Sequence, residues 1–182
     1  KLGILLTGLS EDQKALIQGN IQKLSKLYGN APIKILKDFS TDHQVTHVIC
    51  ACAPKARCPR TLKYLLGIAN KSWIISFDWI LESLEKGQVL AEEDFIVVGD
   101  EAVQCDTNAC AKSRYDTGKL FDVSKFYLAG AFNAPGPTKA DLTNLIQAAG
   151  GSICKKPEDD AIQISNNSTG PKPGKRIYAW LF

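Results

Sequence analysis

One strand–turn–helix unit occurs twice along the chain, and that repetition restricts the fold more than any other feature. Residues 3–9, "GILLTGL", form an apolar run of strand length. A helical pattern follows over 11–28, with Ile17, Ile21, Leu24 and Tyr28 on one face. Ser10 and Gln13 make a capping-box pair at its start, and Gly29 stands where a left-handed residue ends a helix. The same order returns in "KFYLAGAF" (125–132), the turn "NAPGP", the cap pair Thr138 and Asp141, and the stripe Leu142, Leu145, Ile146 and Ala149, closed by Gly150-Gly151. Gly8 to Gly29 covers 21 positions and Gly130 to Gly150 covers 20. Two copies of one supersecondary unit are expected.

The first copy continues with strand-like "IKIL" (33–36) and "THVICA" (46–51). A second helix follows, with Pro59 near its first turn and Leu62, Leu65, Leu66 and Ala69 as its buried stripe. "SWIISF" (72–77) reads as a strand, and 78–86 as a third helix stopped by Gly87. The order β-α-β-β-α-β-α predicts an α/β domain with a parallel sheet covered on both faces. The acidic "EEDF" (92–95) reads as a solvated strand approach, and the polar, mixed 99–118 as a linker. Trp79, following a strand and opening a helix, is expected in the core.

A chain of 182 residues, 45% hydrophobic and 23% charged, fits one or two globular domains. The net charge of +3 gives no strong bias toward polyanions. No apolar run reaches the length of about 18 residues needed to span a membrane, and no signal peptide is visible. Without an initiator Met, the chain is expected to be part of something longer. Six cysteines (Cys50, Cys52, Cys58, Cys105, Cys110 and Cys154) lack the density of a disulfide scaffold and are expected to be reduced thiols in an intracellular protein. His43, His47, Cys50 and Cys52 follow a metal-like spacing, but His47 and Cys50 would point to opposite faces of one strand. No nucleotide-binding or nucleophile-elbow motif is present, and only two histidines are available for acid–base work. No metal, cofactor or catalytic residue is expected, and the chain does not read as an enzyme.

Strand-"TGL"-helix, "THVI", "RTLKYLLGIA", "WIISFDWILESL" and "EDFIVVGD" together resemble the BRCT family, and more narrowly the tandem C-terminal BRCA/BARD-type repeats, with a plant homologue fitting the pattern. The match is strong over 3–100 and fair over 119–155. The resemblance implies two tandem repeats, each a parallel four-stranded sheet flanked by helices, packed through a helical interface: repeat 1 over 1–98, a linker over 99–118 and repeat 2 over 119–182. Trp73 and Trp180 would join Trp79 in the cores. Gly29 to Trp79 spans 50 positions, whereas Gly150 to Trp180 spans 30, so repeat 2 is expected to be incomplete or to lack loops.

On pattern alone Lys63 reads as a solvated helix lysine, Thr7 as a strand-end hydroxyl, Gly8 as a turn glycine and Leu65 as core. The resemblance implies instead a phosphate pocket made by Thr7, Gly8 and Lys63, with Thr61 in support. Beside it, Arg60 and Leu65 would serve a groove for an aromatic residue three positions after a phosphoserine. Copy two has Ala129-Gly130 at the matching positions and is expected not to bind phosphate. The implied function is phosphopeptide recognition in a nuclear DNA-damage-response protein, whose parent is a RING-type ubiquitin ligase by analogy. A phosphate-independent histone-tail or nucleosome scaffold is the first alternative and DNA-end binding the second, although extended DNA contact is not expected from the charge.

Overall fold

The computed structural model describes residues 1–39, 44–102, 108–133, 135–165 and, as backbone alone, 177–178. The chain separates into two compact units, Lys1–Asp116 and Thr117–Phe182.

In the first unit β1 (Leu2–Thr7), β2 (Ile33–Leu36), β3 (His47–Cys50) and β5 (Trp73–Ser76) form a parallel sheet in the order β2-β1-β3-β5. Helix α1 (Glu11–Leu27) links β1 to β2. Its capping box is complete, with Ser10 and Gln13 exchanging side chain-to-backbone hydrogen bonds, and Gly29 adopts the left-handed conformation at its far end. Helix α3 (Asp78–Lys86) ends on left-handed Gly87. These two helices cover one face of the sheet, burying Ile17, Leu24, Trp79 and Ile80 against Ile4, Ile49 and Ile75. Helix α2 (Leu62–Ala69) covers the other face over Leu5, Val48 and Ile74.

Three local readings need correction. Helix α2 begins after Thr61, which leaves Pro59 ahead of its first turn, because the Thr61 hydroxyl accepts from the Tyr64 backbone N–H (3.1 Å) and caps the helix there. Its fully buried residues are Tyr64, Leu66 and Gly67, whereas Leu62, Leu65 and Ala69 are only half-buried. A Cβ at residue 67 would meet Val48 Cγ2 at 2.9 Å, so the helix lies too close to the sheet for a side chain there. "EEDF" is a single 3-10 turn (Glu92–Phe95) that buries Phe95 rather than a solvated strand approach.

Residues read as linker belong largely to the first unit. Strand β6 (Gly99–Asp100) pairs with β4 (Arg57–Cys58), and helix α4 (Ala109–Tyr115) packs on α2, burying Cys110. The two edges of the large sheet differ. Along β5, Ile96 bridges Ile75 in antiparallel fashion and Val97 N–H donates to the Ile74 carbonyl (3.1 Å). Along β2, β1 is the only strand partner among the described residues.

The second unit repeats the plan. Strands β7 (Lys125–Ala129), β8 (Ser152–Ile153), β9 (Ile162–Ser165) and β10 (Ile177–Tyr178) form a parallel sheet ordered β10-β9-β7-β8. Helix α5 (Lys139–Ala148) starts at a complete Thr138–Asp141 capping box and buries Leu142 and Ile146 against Phe126, Leu128 and Ile164. Trp180 lies outside the described residues.

Candidate functional site

The site is built where β1 ends and α2 begins. Parallel pairing puts Thr7 level with Cys50, and Thr7 is buried, whereas Gly8 is exposed with φ +73°. That conformation favours glycine and turns the backbone outward before α1 starts. The Thr7 and Thr61 hydroxyl oxygens are 2.7 Å apart. One hydroxyl of the pair must donate to the other, so one hydroxyl proton remains for a further acceptor. Lys63, half-buried in the first turn of α2, donates its ammonium to the Leu6 carbonyl at 3.2 Å. Thr7, Gly8, Thr61 and Lys63 are thus brought together from two elements more than 50 residues apart in the chain.

The field there favours an anion. The positive end of the α2 dipole points at the site, and the first turn of α2 carries no acidic residue. The first turn of α1, by contrast, already holds Glu11 and Asp12.

Arg60 sits just before the α2 cap. Its Nε and Nη2 donate to the two carboxylate oxygens of Asp100 at 2.9 and 3.2 Å, a bidentate geometry. Asp100 also accepts from the Ala102 N–H (3.0 Å), and the β4–β6 ladder holds the pair in place. In the sequence Asp100 falls in the polar stretch 99–118, and a single aspartate after an apolar strand carries no local signal of such a partner. Because Asp100 is buried and Arg60 only partly exposed, removing the carboxylate strands a cation. Asp100→Ala is expected to cost about 2 kcal/mol, less than a fully buried pair would, measured by urea denaturation against Arg60→Ala and the double variant. Leu65 is half-buried and packs on the α2-side core.

Beneath α2 the thiols of Cys52 and Cys110 are pushed up to about 12, chiefly by burial, and that of Cys50 is raised by its hydrogen bond to Cys58 and by burial. They are therefore protonated packing groups rather than reactive thiolates. His47 stacks on Trp79 (5.3 Å between ring centroids), and its Nε2 lies 3.3 Å from Glu92 Oε1. That partnership points away from the cysteines, and no metal-holding cluster exists among the described residues; His43 and Cys105 lie outside them. Trp79 is core, as expected. Trp73 is half-buried, lies under the Arg114 guanidinium (4.7 Å) and meets Tyr115 edge-on. At the end of β7, Ala129 takes the place of Thr7, and Gly130 again has a positive φ (118°).

Residues 2–84 match the family model of the BRCA1 C Terminus (BRCT) domain. The chain belongs to the BRCT family. BRCT domains are interaction modules, so this chain is a binding protein and not an enzyme. The chain is 40% identical over 131 residues to the BRCA1-associated RING domain protein 1 of Arabidopsis thaliana, covering 68% of this chain and 17% of that protein. It is 30% identical over 173 residues to the breast cancer type 1 susceptibility protein homolog of Rattus norvegicus, covering 94% of this chain and 9% of that protein. The chain therefore spans under a fifth of either relative's length. The BRCT5–BRCT6 domains of S. pombe Brc1 share the fold, with a TM-score of 0.58 at 24% identity over 84% of this chain and 65% of that one. No helix among the described residues of this BRCT chain is long and apolar enough to cross a membrane.

Proposed function

We propose that the first BRCT unit recognises a phosphoserine peptide with an aromatic residue three positions later. The phosphoryl group would be held by the Thr7 hydroxyl, the Gly8 N–H and the Lys63 ammonium. A phosphoserine brings about −1.5 to −2 charges and three acceptor oxygens, which match one hydroxyl, one exposed amide and one cation. Thr61 fixes the Thr7 hydroxyl, and Arg60, oriented by Asp100, offers its remaining N–H groups to the peptide main chain beside Leu65. The observation that carries this reading is the Lys63 ammonium resting on the Leu6 carbonyl, next to the paired hydroxyls of Thr7 and Thr61. For the whole protein we propose, by analogy with the BRCA/BARD-type resemblance and with a relative named for its RING domain, a place in a nuclear RING-type ubiquitin ligase complex acting in the DNA-damage response.

The test is calorimetry with a pSer-x-x-Phe peptide and its unphosphorylated twin. Phosphorylation should strengthen binding, and Lys63→Met should weaken it at least about tenfold, since a charge-assisted hydrogen bond contributes about 1.5–3 kcal/mol. Equal affinity for the two peptides would end this reading.

A further inference from the structure

We propose that Ser76 is a positioning residue for the Gly8 arm of the pocket, given that the pocket holds a phosphoryl group as proposed. Three side chains stand in one row across the carboxyl ends of the first sheet. The ladder pairs Thr7 with Cys50 and Cys50 with Ser76, so all three point to the α2 face. Thr7 and Ser76 are two strand spacings apart, about 10 Å. That is too far for one phosphoryl group to bridge, and Ser76 is fully buried (0% exposed). Its effect on the pocket must pass through the chain between them.

That chain is the turn after β3. The Cys50 carbonyl accepts from the Cys52 N–H (3.0 Å) and from the Phe77 N–H (2.9 Å). The Ser76 hydroxyl donates to the Cys52 carbonyl and accepts from the Asp78 N–H (3.1 Å). Its single proton is thereby committed to the turn, and its lone pair to the start of α3. Ala51, at the centre of the turn, places its Cβ 3.7 Å from where a Gly8 Cβ would stand. The turn is therefore the floor under Gly8, and Ser76 fastens that floor to β5 and α3. The other donors of the pocket are anchored elsewhere: Thr61 caps α2 and meets Thr7, and Lys63 rises from α2 itself. Loss of the Ser76 hydroxyl should thus reach the Gly8 N–H and spare the rest. A donor moved off line loses its hydrogen bond steeply.

The probe is the pSer-x-x-Phe peptide with its unphosphorylated twin, titrated into variants whose circular dichroism matches the parent's. Ser76→Ala should bind the phosphopeptide at least about fivefold more weakly, as partial loss of one charge-assisted hydrogen bond would give, and should bind the twin as the parent does. On addition of phosphopeptide the Gly8 amide proton resonance should move downfield in the parent and much less in Ser76→Ala, a change that a merely structural serine would not produce in folded protein. Ser76→Thr, which keeps the hydroxyl, should restore both readouts. Cys52→Ala, which keeps the carbonyl, should leave both as in the parent. Ala51→Gly takes the same route without touching the buried hydroxyl and decides the matter if Ser76→Ala does not fold; it should weaken phosphopeptide binding at least about twofold. Parent-like affinity and an unchanged Gly8 shift in Ser76→Ala, an equal loss in Cys52→Ala, or no effect of Ala51→Gly would overturn the positioning role and leave the phosphoserine reading standing. A parent that binds both peptides alike would end both.

Discussion

Replacing Trp79 by alanine is expected to destabilise the first unit by about 3–5 kcal/mol, a large share of the roughly 5–15 kcal/mol that holds a typical domain folded. Three observations set that magnitude. The indole is 1% exposed, so deletion leaves a cavity instead of a solvated notch. Its Nε1–H donates to the Leu90 carbonyl (2.9 Å), which loses its partner. Its ring also stacks on His47, itself buried and held to Glu92, so the loss reaches a polar network that joins β3 to the 3-10 turn. Urea denaturation should show a lowered midpoint with an unchanged slope. Trp79→Phe should recover more than half of the loss, because it restores most of the volume but not the hydrogen bond. A loss under about 1 kcal/mol for the alanine variant would place Trp79 at the surface rather than in the core.

A single methyl group at residue 3 is expected to be nearly as damaging. Gly3 is the second residue of β1, an inner strand of the sheet, and is buried where a Cβ would sit 2.2 Å from the Gln44 carbonyl oxygen and 2.9 Å from Leu36 Cδ1. The first of these is backbone and cannot rotate away. It is held there because Thr46 grips Gly3 three times: the Thr46 N–H and hydroxyl both donate to the Gly3 carbonyl (2.9 and 3.0 Å), and the Thr46 hydroxyl accepts from the Gly3 N–H (3.1 Å). Relieving the clash requires giving up part of that grip. Gly3→Ala should therefore cost about 2–3 kcal/mol, at the upper end for overpacking, read as a fall in melting temperature. Thr46→Val should recover little of it, whereas a Gly3→Ala protein as stable as the parent would show that 44–46 can lift off the sheet freely.

Local chemistry made most of the fold legible. The Ser10–Gln13 and Thr138–Asp141 boxes, the left-handed Gly29 and Gly87, and the limits of α3 all depend on residues within four positions of one another, and all were readable. What escaped depends on distant partners. The 3-10 turn at 92–95 exists because Phe95 fills the core and Glu92 meets His47, 45 residues earlier. Helix α4 has seven residues, too few to display a periodicity, and it is held by packing on α2. The start of α2 is set by the Thr61 cap and not by Pro59, although proline is the more conspicuous local signal. The pocket residues are legible only through family resemblance, since a lysine in an amphipathic helix is by itself unremarkable; Asp100, the partner of Arg60, is marked neither by local pattern nor by resemblance.

The hydroxyl of Thr61 has two duties, since it both terminates α2 and meets Thr7. Selection acting on the integrity of this unit and selection acting on whatever the pocket captures consequently converge on one atom. A drift to valine or alanine would injure both at once, whereas serine preserves both, so among neutral replacements over evolutionary time this position has a single narrow exit.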